Sequence, residues 1–207
     1  MDAAPSKADL RAAALAARDA LGDRKRAAAA NKIAKRGLPI EIAAGTVVSG
    51  YSPIRNEIDP TPLMLKLALA GARLALPVIN ARGKSLTFRA WSPSDRLVLG
   101  SLGIPEPSPA AAELVPDIML VPLAAFDRRG ERIGYGKGHY DRAIARLAAD
   151  GRPLTTIGLA FACQEVERVP SEPHDRRLDW ILTDRELIAA ASPALDHGPA
   201  HAPAVSR

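Results

Sequence analysis

The run Asp117-Ile118-Met119-Leu120-Val121 constrains the fold more than any other stretch of the chain. A strand whose apolar residues do not alternate with polar ones needs cover on both faces, and helices on either side of a mostly parallel sheet provide it. The neighbouring segments supply such a sheet. Thr46–Tyr51, Arg73–Val78, Leu86–Trp91, Thr155–Phe161 and Trp180–Thr183 read as further strands. Helical stretches lie between and around them. One is opened by the capping-box pair Ser6 and Asp9 and ends near Gly22, one covers Arg24–Arg36, and one follows Asp59-Pro60-Thr61 as far as Gly71. Another runs from Asp141 to Gly151, and Asp184 opens a last short one. The alternation predicts a three-layer α/β/α sandwich around a mainly parallel, Rossmann-like sheet, built by a single domain over residues 1–190. The Ala-, Pro- and His-rich remainder, 191–207, shows no period and is expected to be a disordered tail. Ligands of such sheets bind where strands deliver their carboxyl ends, which singles out Tyr51–Glu57, Pro122–Asp141 and Thr183-Asp184.

The second of these segments contains Arg132-Ile133-Gly134-Tyr135-Gly136-Lys137-Gly138-His139-Tyr140-Asp141. Three alternate glycines let backbone N–H groups approach an anion with no Cβ in the way, and the start of a helix aims further N–H groups at the same place. Lys137 and Arg132 add positive charge. An oligophosphate suits this environment better than a neutral ligand. The spacing is not that of the Walker loop, since no Ser or Thr follows Lys137, nor of the G-x-G-x-x-G dinucleotide fingerprint. On spacing alone a tight exposed connection between strand and helix reads equally well.

Charge and composition narrow the partners. A net charge of +5 with only 4% aromatic residues, spread without a basic arm, argues against nucleic acid, which single-strand readers grip by stacking. Such a surface steers small polyanions instead. No apolar run approaches the ~18 residues of a membrane span and no signal-type leader precedes the first helix, so no membrane partner and a cytoplasmic location are expected. Cys163 is the single cysteine, which removes disulfides and cysteine-rich metal sites and leaves it as a small semi-buried core residue. In the first helix, Lys7, Arg11 and Arg18 fall within ~40° of one another and form a cationic stripe, with Arg18 read as solvated.

From Val121 to Arg142 the sequence V-P-L-A-A-F-D-R-R-G-E-R-I-G-Y-G-K-G-H-Y-D-R resembles the signature of the 5-formyltetrahydrofolate cyclo-ligases (methenyltetrahydrofolate synthetases). The likeness extends to Lys7-x-x-Leu10-Arg11, to Tyr51-Ser52-Pro53-Ile54-Arg55-Asn56-Glu57-Ile58, to Gly103-Ile104-Pro105-Glu106-Pro107 and to Pro170–Thr183, so that it covers about Ser6 to Leu187. His139 departs from it, standing where the family has Tyr or Phe.

The resemblance implies a ligase that uses ATP and Mg²⁺ to close 5-formyltetrahydrofolate to 5,10-methenyltetrahydrofolate, releasing ADP and phosphate. By the same resemblance Lys7, Arg11, Arg132, Gly134, Tyr135, Gly136, Lys137, Gly138, His139 and Tyr140 are ATP contacts, with Arg132 and Lys137 catalytic. Ser52, Glu57 and Glu106 are substrate contacts, and Asp141 and Asp179 hold the metal. Asp179 also sits in the charged stretch His174-Asp175-Arg176-Arg177, where a solvated ion-pair cluster looks the same. Tyr51, Phe88 and Trp91 are candidates for an apolar folate wall or for the core. Two other readings fit the residues: a relative acting on a different N-formyl substrate, and a non-catalytic basic module that binds nucleotide or RNA.

Overall fold

The computed structural model describes residues 4–79 and 85–190. The expected tail, 191–207, lies outside them. The sheet has seven strands in the order β11-β10-β9-β6-β1-β2-β3. In chain order these are β1 (Val47–Ser49), β2 (Arg73–Ile79), β3 (Leu86–Ala90), β6 (Ile118–Pro122), β9 (Thr155–Ala160), β10 (Trp180–Thr183) and β11 (Leu187–Ala189). Only the edge strands β3 and β11 run antiparallel to their neighbours. Two small antiparallel pairs stand outside the sheet: β4 (Val98–Leu99) with β5 (Pro105–Glu106), and β7 (Ala125–Phe126) with β8 (Arg132–Ile133).

The apolar run behaves as expected. Ile118 and Leu120 of β6 enter one core with Val48, Leu74, Leu76 and Leu159. Met119 and Val121 enter another with Val47, Ala75 and Ala160 on the opposite face. The first core is roofed by α2 (Asp23–Arg36) and α3 (Thr61–Leu69) through Ala29, Ile33, Leu63, Met64 and Leu67. The second is covered by Ala143, Ile144 and Leu147 of α4 (His139–Ala149), spaced to share one face of that helix. Four of the β6 side chains are therefore withdrawn from water at roughly 2 kcal/mol each. Residues of this type make β6 the centre of the molecule.

Helix α1 (Lys7–Asp19) starts as read: the Asp9 amide donates to the Ser6 hydroxyl at 3.2 Å and the Ser6 amide donates to Asp9 at 3.1 Å. It packs at the edge of the β7–β8 pair, where Ala14 meets Ala125, Ile133 and Val169. Two expectations fail. Asp184 opens no helix; Thr183 Oγ1 instead accepts from the Arg185 and Glu186 amides, and the turn feeds β11, which pairs back on β10. Cys163 is exposed, because it lies in the 3₁₀ turn Ala162–Gln164 beyond the end of β9 and not in a strand.

Candidate active site

β2 lies on one side of β1 and β6 on the other, so consecutive connections leave the sheet in opposite directions at the β1/β6 boundary. Crevices open at such a switch point beyond the carboxyl ends of the strands. The cleft found there has a volume of about 650 Å³, inside the range of small-molecule sites. Tyr51, Ser52 and Glu57 reach it from the segment after β1, Pro122 from the end of β6, and Arg132–Arg142 from β8, the glycine loop and the start of α4. Ile79, Leu86, Leu102 and Ile104 form an apolar wall. Thr183-Asp184, also at a carboxyl edge, does not line it; the Asp184 carboxylate accepts from the Ala162 amide at 2.8 Å.

Two of the loop's three glycines take the left-handed backbone that glycine favours; Gly134 does not. Gly136 and Gly138 have φ of +82° and +61°, and Gly138 is the left-handed N-cap of α4, which carries no side-chain cap. The helix begins at His139, two residues before the expected Asp141, so its uncapped N–H groups start next to the loop. Arg11 Nε donates to the Gly134 carbonyl at 2.8 Å, and Arg142 Nη2 donates to the Lys137 carbonyl at 2.8 Å. The Arg142 guanidinium also lies 3.1 Å from His139 Nδ1. Burial together with the charges of Arg142 and Lys137 lowers the His139 pKa, so this imidazole adds little charge at neutral pH. A Cβ placed on Gly136 would meet open space. Gly136→Val is therefore expected to cost about 1–2 kcal/mol of stability from its left-handed backbone, read as a lowered Tm.

Lys137 is exposed, whereas Arg132, the loop's other cation, is buried. Its side chain is 5% accessible, and Nη2 donates to Asp141 Oδ1 at 2.7 Å. Nη1 donates to the Arg176 carbonyl, and the Arg176 amide donates to Asp141 Oδ1 at 3.1 Å. Burial pulls the Arg132 pKa down and Asp141 opposes it. Arg132 and Asp141 thus tie the glycine loop to the 172–176 segment. From that segment Asp175 accepts from Lys7 Nζ at 2.6 Å, with Glu172 at 3.3 Å from the same ammonium. Burial would raise the Asp175 pKa, yet Lys7 and the Glu172 amide hold it below the usual carboxylate range.

Asp179 is not part of this group. Its Oδ2 accepts from the Thr156 amide at 2.7 Å and the Thr156 hydroxyl at 2.8 Å, at the amino ends of β9 and β10, away from the carboxyl edge that opens the cleft. The carboxylate that faces the cleft with Asp141 is Asp175, four residues earlier, which sequence reasoning missed. Both belong to one charged run, and an extended segment offers no period by which to choose between them.

The other end of the cleft is built on Glu57. Its Oε2 accepts from the Ile54 amide at 2.8 Å. Burial raises the Glu57 pKa, opposed by that bond and by the Tyr135 hydroxyl nearby. Burial, then the nearby Glu57, pushes Tyr135 up to about 12 and holds Tyr140 well above the usual phenol range, so both rings keep their protons. Ser52 donates to the Pro105 carbonyl at 2.6 Å. Glu106 is buried, accepts from the Ile79 amide at 3.2 Å, and lies so close under Gly100 that a Cβ there would collide with its carboxylate. Tyr51 lines the cleft with its hydroxyl donated to the Ile58 carbonyl at 2.7 Å, whereas Phe88 belongs to the second core and Trp91 packs against the first. Arg18 overturns the solvated reading: it is 1% exposed and donates from Nη1 to the Tyr135 hydroxyl at 2.6 Å.

Fold and cleft together define an α/β protein with an anion-suited pocket at the switch point of its sheet. Residues 3–184 match the model of the 5-formyltetrahydrofolate cyclo-ligase family, a family of ligases, and the chain belongs to it. It is 35% identical over 145 residues to the 5-formyltetrahydrofolate cyclo-ligase of Escherichia coli K12, covering 68% of this chain and 79% of that one. To the enzyme of the same name from Mycolicibacterium smegmatis it is 34% identical over 155 residues, 71% and 78% of the two chains. The solution structure of the Aquifex aeolicus 5,10-methenyltetrahydrofolate synthetase superposes with a TM-score of 0.74 at 30% identity, covering 95% of this chain and 99% of that one. The Mycoplasma pneumoniae 5,10-methenyltetrahydrofolate synthetase, at 24% identity and a TM-score of 0.69 over 87% and 99% of the chains, shares the fold. No helix among the described residues is long and apolar enough to cross a membrane.

Proposed function

We propose that the chain closes 5-formyltetrahydrofolate to 5,10-methenyltetrahydrofolate at the expense of ATP. One observation carries the reading beyond family membership: the cleft has a cationic, glycine-lined end and an apolar end holding the half-buried Glu57 carboxylate, as joint binding of a nucleotide triphosphate and a pterin requires. The γ-phosphate would lie over Gly134–Gly138 against the uncapped start of α4, with Lys137 as a mobile point charge and Lys7 and Arg11 closing the site from α1. Glu57 would accept hydrogen bonds from pterin N–H donors, with Ser52, Glu106 and the apolar wall around the rest of the folate.

An N-formyl carbonyl is a poor electrophile because the nitrogen lone pair is delocalised into it. Transfer of the γ-phosphoryl group to the formyl oxygen, releasing ADP, creates a leaving group there. The secondary amine of the same folate then attacks the formyl carbon, loses its proton, and phosphate departs with the former formyl oxygen. Both reacting nitrogens belong to one substrate, so the protein contributes no nucleophile; its work is positioning and stabilising charge on the transferring group.

Mg²⁺ fits the cationic end. Asp141 and Asp175 offer hard carboxylate oxygens there, and this ion takes one or two carboxylates together with phosphate oxygens and water. When bound it would offset phosphate charge. Asp175 also forms with Glu172 and His174 a group whose possible ligand atoms lie within 4.8 Å of one another, and the Lys7 ammonium paired with these carboxylates would give way to an ion there. Asp179, with its carboxylate committed to Thr156, has no place in this reading. The single cysteine, the scarcity of aromatics and the polyanionic substrates agree with a cytoplasmic enzyme that has no nucleic-acid or membrane partner.

Mixing the protein with Mg-ATP and 5-formyltetrahydrofolate should give the methenyl chromophore together with ADP. Retained ATP binding without that absorbance would point to another N-formyl substrate. Lys137→Ala should lower kcat/KM by roughly 30- to 1000-fold, equivalent to about 2–4 kcal/mol of barrier. Its Tm should stay within a degree of the parent, because the side chain is exposed; unchanged turnover would remove Lys137 from phosphoryl transfer.

A further inference from the structure

We propose that Arg18 is a positioning residue for the folate end of the reaction: through the Tyr135 hydroxyl it fixes the Glu57 carboxylate in the orientation that receives the pterin. The proposal rests on the reading of Glu57 as the folate-facing carboxylate and goes beyond it, because Arg18 lines no part of the cleft.

Arg18 is a cation almost wholly removed from water, a state that proteins keep only when its donors are used. Its Nε donates to Asp19 Oδ1 at 3.2 Å and its Nη1 to the Tyr135 hydroxyl at 2.6 Å. A guanidinium has no acceptor, so the phenol oxygen must accept, and its single proton is left for another partner. The Glu57 carboxylate, which lines the cleft beside Tyr135, is the acceptor for it. The chain then runs from Arg18 to Tyr135 to Glu57, whose Oε2 also accepts from the Ile54 amide at 2.8 Å. Asp19 completes the clasp, for its Oδ1 also accepts from Asn56 Nδ2 at 3.0 Å. The last turn of α1 thus grips the glycine loop at Tyr135 and the post-β1 loop at Asn56. The Arg55 guanidinium lies 5.9 Å from the centroid of the Tyr135 ring and braces it from the loop side, using the one non-glycine residue with positive φ among the described residues. Tyr135, expected among the ATP contacts by resemblance, therefore aims its hydroxyl away from the phosphate end.

Steady-state kinetics of Arg18→Met, Tyr135→Phe and the double variant test this, with Tm recorded for each. Arg18→Met and Tyr135→Phe should each raise KM for 5-formyltetrahydrofolate about tenfold or more, leave KM for ATP within about twofold, and change kcat less than KM. The double variant should be no worse than the poorer single, since both changes break one chain of bonds. Arg18→Lys, which can still donate to the hydroxyl, should recover part of the loss. An unshifted folate KM in either single variant, or effects that multiply in the double, would overturn the proposal. If Arg18→Met does not fold, Tyr135→Phe decides alone, because it removes one oxygen and leaves the ring beside Arg55. Absence of turnover in the parent protein would sink the folate reading and this proposal with it, whereas turnover in the parent with unshifted variants sinks the proposal alone.

Discussion

Arg132→Ala should lose both activity and stability, unlike Lys137→Ala. The guanidinium is buried and joins Asp141 to the Arg176 carbonyl, so its removal leaves a carboxylate and a carbonyl without their donor. Breaking a fully buried pair costs about 3–5 kcal/mol. Here the Asp141 side chain is 22% accessible and keeps the Arg176 amide, so water can replace part of what is lost. A cost of roughly 2–3 kcal/mol is expected, lowering Tm by about 4–12 °C for a chain of this size. Activity should fall more than a hundredfold in the fraction that remains folded, measured below the new Tm. Retained activity with lowered stability would make Arg132 a strut between the loop and the 172–176 segment and nothing more.

The second large effect concerns magnesium. Asp141→Asn keeps an oxygen for the Arg132 and Arg176 donors but removes the charge. Some stability should go with it, since a buried guanidinium then faces a neutral amide. The diagnostic readout is the magnesium titration: the concentration for half-maximal rate should rise at least tenfold in Asp141→Asn and in Asp175→Asn. Asp179→Asn should leave that concentration unchanged while lowering Tm, because its carboxylate holds the Thr156 amide and hydroxyl where β9 meets β10. A magnesium shift in Asp179→Asn but not in Asp175→Asn would overturn the assignment of the second carboxylate.

These contrasts mark where sequence reading stops. Six of the seven sheet strands and the main helices were legible from their apolar patterns, and β6, apolar on both faces, required two helical layers. The β4–β5 and β7–β8 pairs were not, since two residues per strand cannot display alternation. Asp184 looked like a helix cap because Thr183 and Asp184 both suit that position, and only the pairing of β11 on β10 decides that Thr183 takes the amides. At the site, the glycine loop announced itself through residues adjacent in sequence. Arg18 did not. Its position on the cationic stripe of α1 was correct, but whether a stripe is solvated or covered depends on Tyr135, 117 residues away. Burial of Arg132 is hidden for the same reason, as the segment that covers it arrives more than forty residues later.

Helix α1 has a further consequence for how the chain comes into being. Its three cations find their partners 168, 123 and 117 residues downstream, at Asp175, Gly134 and Tyr135. Synthesis at about 5–20 residues per second leaves Lys7 waiting on the order of ten seconds for its carboxylate. During that interval Lys7 and Arg11 lack their partners while Arg18 has only Asp19 of its own helix, and any fragment ending before Asp175 has an incomplete cationic end. Such separations slow closure, because the loop entropy must be overcome before the contacts form. They also make the cleft a reporter of completion: a released chain acquires its cationic end only when its first helix and the 172–176 segment have met.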